Sequence, residues 1–280
     1  MPELPEVETT RRGIEPWVAG TRLLDWTVRD ARLRWPVDIP ERLRNQKIVN
    51  VGRRGKYLLL EFAQGSLILH LGMSGSLRIL TPDTPPLKHD HVDWRLSNQR
   101  ILRLNDPRRF GCVVFHGVDA AEPHRLLAGL GPEPLGNEFS ATYLHQRSRN
   151  KKVAVKNFIM DSKVVVGVGN IYAAEALFMA GIRPAIAARR VSRVAYEVLV
   201  NAIRTVLARS VRQGGTTLRD FVGSDGNPGY FKQQLNVYGR QGLPCRVCAT
   251  PLRGRTIGQR ASVYCPKCQT SQSFKPPALP

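Results

Sequence analysis

The sequence predicts an α+β chain of several domains: an N-terminal antiparallel β-sandwich with flanking helices, a helical middle and a small C-terminal hairpin module. Three observations carry this expectation. Short segments rich in Val, Ile and Leu, broken by Gly, Pro, Asp and Asn, recur from Thr21 to His116. Apolar residues take a helical period from Ser140 onward, and four cysteines cluster near the C-terminus. At 280 residues the chain exceeds the usual length of about 100–200 residues per domain, and 42% hydrophobic with 23% charged residues is a globular composition.

A short helix is expected from residue 5 to about 13, started by Pro5 with acidic residues in its first turn. Strands follow at 23–28, 48–51, 57–62, 66–71, 76–80, 91–96, 101–104 and 111–115, the spacing of an antiparallel sandwich or barrel. Cys112, between Gly111 and Val113, reads as a small buried hydrophobe. The turn-rich run Gly131-Pro132-Glu133-Pro134-Leu135-Gly136 marks a hinge at 132–137, between a domain at 1–131 and a helical domain at 138–234. In the latter, Asn170 reads as the N-cap of a helix at 171–180. Ser192 reads as the cap of a long helix whose stripe includes Val198, Leu199, Ile203 and Leu207 and which ends at Gly214-Gly215. A loop spans about 213–231, the cysteine module occupies 235–270, and 271–280 is a tail without a core-forming pattern.

Charge narrows the partners. The formal net charge is +20, with +5 in the first 150 residues and +15 in the remainder, and no acid follows Asp225. Such an excess points to a polyanion. No apolar run approaches the roughly 20 residues that span a bilayer, and no secretory signal opens the chain. The expectation is a cytoplasmic, monomeric protein that binds nucleic acid, with no membrane partner.

The cysteines read Cys245-x2-Cys248-x16-Cys265-x2-Cys268, the spacing of two knuckles closing a tetrahedral thiolate site for one Zn²⁺. All four positions are filled by protein ligands, so the metal reads as structural. It would display Arg253, Arg255 and Arg260 on the hairpin between the knuckles.

The chain opens Met1-Pro2-Glu3-Leu4-Pro5-Glu6. By itself this is an ordinary capped helix start. It is also a candidate covalent catalyst: removal of Met1 would expose proline's secondary amine, and an α-amino group has a pKa of about 7.7–8.0 against about 10.4 for lysine. Glu3 and Glu6 would supply the acid and base.

The Pro-Glu-Leu-Pro-Glu start, the basic helical half and the cysteine module stand in order with three further motifs. These are Leu71-Gly72-Met73-Ser74-Gly75-Ser76-Leu77, Asp106-Pro107-Arg108-Arg109-Phe110-Gly111 and Gly167-Val168-Gly169-Asn170-Ile171-Tyr172. Together they resemble the bacterial formamidopyrimidine-DNA glycosylase family along residues 1 to about 270. The resemblance implies a β-sandwich, a helix-two-turns-helix domain and a zinc-finger hairpin. It also implies excision of 8-oxoguanine and formamidopyrimidines from damaged double-stranded DNA, followed by β,δ-elimination.

It places the nucleophile at Pro2 and the acid/base at Glu3, supported by Glu6, with Lys56 and Arg260 in the catalytic set. Read alone, Lys56 is equally a solvated lysine. DNA contacts are implied at His70, His89, Lys156, Asn170 and Tyr238, while Met73, Arg108 and Phe110 would fill the gap left by an extruded nucleotide. Composition alone assigns Met73 and Phe110 to the core. His89-Asp90-His91 reads as strand, with both histidines on one face, and not as a metal site. Ala249 stands where the family commonly has a glycine able to take positive φ, which predicts a strained knuckle.

Two other readings stay open at this level. The sibling endonuclease VIII branch uses the same chemistry on oxidised pyrimidines, but Leu4 and the 213–231 loop favour the purine branch. A non-catalytic DNA-binding protein would have no use for Pro2, Glu3, Glu6 and Lys56 together.

Overall fold

The computed structural model describes residues 2–214, 235–270 and 276–277. Most of the expected loop at 213–231 and of the tail lies outside them. The chain divides into two compact units, one reaching to Ala128 and the other formed by Gly129–Ser210 with the C-terminal segment.

The first unit opens with α1 (Leu4–Val18), longer than expected. Val7, Ile14 and Val18 are all buried, so the apolar stripe continues past Gly13 and holds Pro16 inside the last turn. Eight strands follow: β1 (Arg22–Val28), β2 (Gln46–Arg54), β3 (Tyr57–Phe62), β4 (Gly65–His70), β5 (Ser76–Leu80), β6 (Asp90–Leu96), β7 (Ile101–Asn105) and β8 (Cys112–Gly117). They form antiparallel pairs in the order β5-β7-β6-β1-β2-β3-β4-β8. The β1–β2 join is two residue pairs long, Arg22↔Lys47 and Leu23↔Gln46, and divides the sheet into two four-stranded halves. Leu77, Trp94, Leu102 and Leu104 from one half share a core with Leu58, Leu60, Leu69 and Val113 from the other. This is the packing of a sandwich.

His89 departs from the sequence expectation. Its φ is 72°, so it sits in a left-handed turn before β6 and not in the strand. Asp90, beside it, is buried and accepts hydrogen bonds from Arg78, Leu87 N–H and Asn105 Nδ2. Asp93 pairs with Arg103 through bonds of 2.7 and 2.8 Å and with Arg29 at 2.6 Å.

The second unit contains α2 (Ala141–Ser148), α3 (Val155–Met160), α4 (Asn170–Met179) and α5 (Arg193–Arg212), with the hairpin β9 (Arg253–Ile257) and β10 (Arg260–Tyr264). Ser140 Oγ caps α2 by accepting from Tyr143 N–H, and Ser192 Oγ caps α5 by accepting from Ala195 N–H. α4 buries every residue from Ile171 to Phe178, the signature of a central helix. Gly169 takes its N-cap position, so Asn170 is the first helical residue and not the cap expected.

The turn-rich stretch expected as a hinge is tied into this unit. Gly131 N–H donates to Ser162 O, Val166 N–H donates to Pro132 O, and Arg204 donates to the carbonyls of Pro134, Gly136 and Phe139.

The hairpin turns through Gly258 (φ 54°) and Gln259 (φ 61°), a two-residue loop with both central residues left-handed. Ala249 has φ 59°, the left-handed conformation that the family resemblance implies at this knuckle. An L-residue in this region costs about 1–2 kcal/mol. Ala249→Gly should therefore raise the unfolding free energy by about 1 kcal/mol in urea titration of the metal-loaded protein; an unchanged midpoint would count against strain at this turn.

Candidate active site and metal centre

The N-terminal residues are drawn into the fold. Pro2, Glu3 and Glu6 are buried, with Glu3 2% and Glu6 0% exposed. Glu3 is the N-cap of α1, its backbone N–H donates to Glu6 Oε2 at 2.8 Å, and the two residues form a reciprocal capping box. The helix cap and the acid pair are thus the same structure: Glu6 fixes the Glu3 backbone, and the carboxylates lie at the positive end of the helix.

Lys56 stands at the tip of the β2–β3 hairpin, where Gly55 (φ 57°) allows a two-residue turn between the paired Arg54 and Tyr57. Tyr57 pairs across the sheet with His70, their rings 4.9 Å apart, and His70 pairs in turn with Cys112. Burial, reinforced by the positive charges of Lys56 and Arg34, pushes the His70 imidazole down to about 4. It is therefore neutral near pH 7. Nδ1 accepts from Gly72 N–H at 3.0 Å, which places the ring proton on Nε2 as a donor. Burial also pushes the Cys112 thiol up to about 11, so it stays protonated, in keeping with the buried hydrophobe expected.

Two loops carry the residues expected to enter the duplex. Met73 is half-buried in the turn 71–75, closed by Gly75 N–H donating to Leu71 O at 2.7 Å. Arg108 and Phe110 are exposed on the loop 106–111, and the Arg108 guanidinium lies over the Phe110 ring at 5.2 Å. Phe110, 44% exposed, is therefore not the core residue that composition suggested.

Asp106, which sequence reasoning passed over, joins these loops. It is fully buried; Oδ2 accepts from Gly111 N–H at 2.8 Å and Oδ1 from Ser74 Oγ at 3.3 Å. Its backbone N–H donates to His89 O, and its carbonyl lies 2.8 Å from His91 Nε2. The available signal was an Asp-Pro step opening a loop, a turn-former pairing. Gly72 (φ 61°) completes the joint, because a Cβ there would lie 2.6 Å from the Phe110 carbonyl carbon.

In the second unit, Lys156 is fully buried, and its ammonium donates to Ala261 O at 3.0 Å and to Ser262 Oγ. These two bonds tie this expected DNA-contact residue to β10, so it braces the hairpin. Arg260 is exposed on the first residue of β10. Asn170 Oδ1 is buried and has no hydrogen-bond partner among the described residues. Tyr238 is half-buried, and its N–H donates to Glu175 Oε1 at 2.9 Å. The buried Glu175 carboxylate also accepts from the backbone N–H groups of Asn236 and Val237, a second organising residue that the sequence did not reveal.

Cys245, Cys248, Cys265 and Cys268 bring all four Sγ atoms within 4.8 Å of one another, with close pairs at 3.4, 3.5 and 3.9 Å. A Zn–S bond of about 2.3 Å in tetrahedral geometry requires sulfurs about 3.8 Å apart, so the thiolates fit one ion. Among the described residues this is the one such ligand group.

Comparison with known proteins follows the same division. The formamidopyrimidine-DNA glycosylase N-terminal domain matches residues 1–113, the H2TH domain of that enzyme matches 130–222, and the zinc finger found in FPG and IleRS matches 242–270. The formamidopyrimidine-DNA glycosylase of Methylococcus capsulatus is 59% identical across 96% of this chain and all of that protein. The Escherichia coli enzyme is 56% identical with the same coverage. Among solved structures, MutM (Fpg) from Thermus thermophilus superposes with a TM-score of 0.85 at 37% identity, covering 97% of this chain and 100% of that one. Lactococcus lactis Fpg in complex with abasic-site DNA gives 0.88 at 30%, covering 96% and 100%. The four cysteines bind one structural zinc, and the chain belongs to the formamidopyrimidine-DNA glycosylase family.

Proposed function

We propose that this protein removes oxidised purines from duplex DNA through a covalent Pro2 intermediate and then cuts the strand by β,δ-elimination. Membership of the family makes it a DNA repair glycosylase with strand-cleaving lyase activity. The covalent route is our own reading. Its main support is the N-terminus of α1, where Pro2 adjoins a buried Glu3 whose backbone is held by Glu6.

In this reading Met1 is removed, and the free Pro2 amine attacks C1′ as the bond from C1′ to the base breaks and the base leaves with the electron pair. Glu3 delivers a proton to the sugar ring oxygen, the ring opens and an iminium forms. The iminium acidifies the C2′ proton, whose loss expels the 3′ phosphate; a second elimination expels the 5′ phosphate. The product is a one-nucleotide gap with phosphate on both ends. Lys56, neutral His70 and Arg260 hold backbone phosphates and assist the eliminations, while Met73, Arg108 and Phe110 occupy the space of the extruded nucleotide. Asn170 and Tyr238 take further phosphates, the former at the N-terminus of α4.

Borohydride treatment during reaction with an 8-oxoguanine duplex should trap one covalent adduct per chain at Pro2. No trapping, or stronger trapping on an oxidised pyrimidine, would overturn the assignment. Arg260→Ala should weaken DNA binding and reduce the salt dependence of log K by about one unit of slope; an undiminished slope argues against a phosphate contact. His70 titrates below its unfolded value of about 6.5, so the unfolded state binds more protons between about 6.5 and 4. Its contribution should make stability fall as pH drops through that window, by up to about 3 kcal/mol. The check is urea unfolding of the wild type against His70→Asn at pH 7 and pH 4.5. Equal losses in both proteins would refute the neutral-histidine assignment.

A further inference from the structure

Arg53 has no part in the chemistry described above, yet it touches both elements that carry it. Its Nε donates to Glu8 Oε2 at 3.0 Å, and its Nη1 donates to Gly55 O at 2.8 Å. Glu8 lies on α1 five residues after Glu3, about 7.5 Å along the axis at 1.5 Å per residue. Gly55 opens the turn that presents Lys56, so a single guanidinium spans from the nucleophile's helix to the lysine's hairpin.

This is not a solvent-screened surface pair. The Arg53 and Glu8 side chains are only 14% and 13% exposed. Arg11 and Arg12 also donate to Glu8, at 3.1 and 2.8 Å, and Arg11 Nη1 reaches Val51 O at 3.1 Å. Burial works to raise the Glu8 carboxyl, but the hydrogen bonds from Arg11, Arg12 and Arg53 hold it below the ordinary glutamate value, so it remains ionised at neutral pH. The carboxylate is fixed in direction from three sides, and α1 is thereby clamped to β2 at Val51 and Arg53. The fork of the guanidinium suits this position. Two donors on one rigid plane satisfy a carboxylate and a carbonyl at once, which a lysine ammonium on a flexible stem does not reproduce.

We propose that Arg53 is a positioning residue that sets Lys56 against the Pro2–Glu3 terminus of α1, an inference that rests on the catalytic reading of Lys56 given above. Arg53 acts through the turn and touches no reacting atom. Its loss takes the guanidinium bond from the Gly55 carbonyl and the tie from that turn to Glu8, and a displacement of about 1 Å at a catalytic group is enough to cost about 10²-fold in rate.

The test is single-turnover cleavage of an 8-oxoguanine duplex by the full-length, zinc-loaded protein, set beside its affinity for a tetrahydrofuran-abasic duplex. Arg53→Ala should slow the chemical step by about 10²-fold while affinity stays within about threefold. In combination with Lys56→Ala it should add no further loss, because both changes remove the same contribution. Arg53→Lys keeps the charge and serves if the alanine variant fails to fold; it too should be slowed, since one ammonium cannot hold both acceptors. Cleavage at the wild-type rate by either variant, or losses that multiply with Lys56→Ala, would overturn the proposal. A fully active Lys56→Ala protein would remove the Lys56 reading and this inference with it, while leaving the trapping result at Pro2 intact.

Discussion

A carboxyl group with no access to water joins two loops of the first unit. Asp106 is 0% exposed, and its carboxyl oxygens accept from Gly111 N–H and Ser74 Oγ while its own backbone engages His89 and His91. Removing one partner of such a buried group leaves an unsatisfied acceptor, a loss of about 1–3 kcal/mol. Both loops that carry Met73, Arg108 and Phe110 depend on this one side chain for their separation. Gly72 and Gly111 matter for the same reason. The chains pass so closely that a Cβ on either would meet backbone at 2.6 Å.

Much of this was legible in the sequence. Short Val-, Ile- and Leu-rich segments broken by turn formers marked the eight strands of the sandwich, Ser140 and Ser192 marked two helix starts, and the cysteine spacing marked the metal site. The failures have physical causes. α1 runs past Gly13 because tertiary burial of Ile14 and Val18 outweighs local propensity. Asn170 looked like a cap by type, but Gly169 supplies the extended backbone that a cap requires. His89 looked like strand because its neighbours alternate, and a left-handed φ is invisible to periodicity.

The organising residues were the least legible. Glu175 and Arg53 are ionisable residues of ordinary appearance in the sequence, and the Asp-Pro step at Asp106 signals a turn but not the joint it makes. Each gains its meaning from partners distant in sequence: Ser74 for Asp106, the 236–238 backbone for Glu175, and Glu8 for Arg53. Lys156 is similar: the family resemblance implied a DNA contact there, and its ammonium also ties α3 to β10 through Ala261 O and Ser262 Oγ, a partnership more than 100 residues away in sequence.

The joint at Asp106 also separates two kinds of inheritance. The residues that fix the loops are buried or sterically constrained, whereas Arg108 and Phe110 project outward and contribute little to the packing that holds them. Exchanging an outward side chain therefore leaves the backbone platform in place. Descendants of this chain are free to vary these two outward side chains without crossing a fold-stability threshold, so the chemistry displayed on this loop evolves on a surface decoupled from folding.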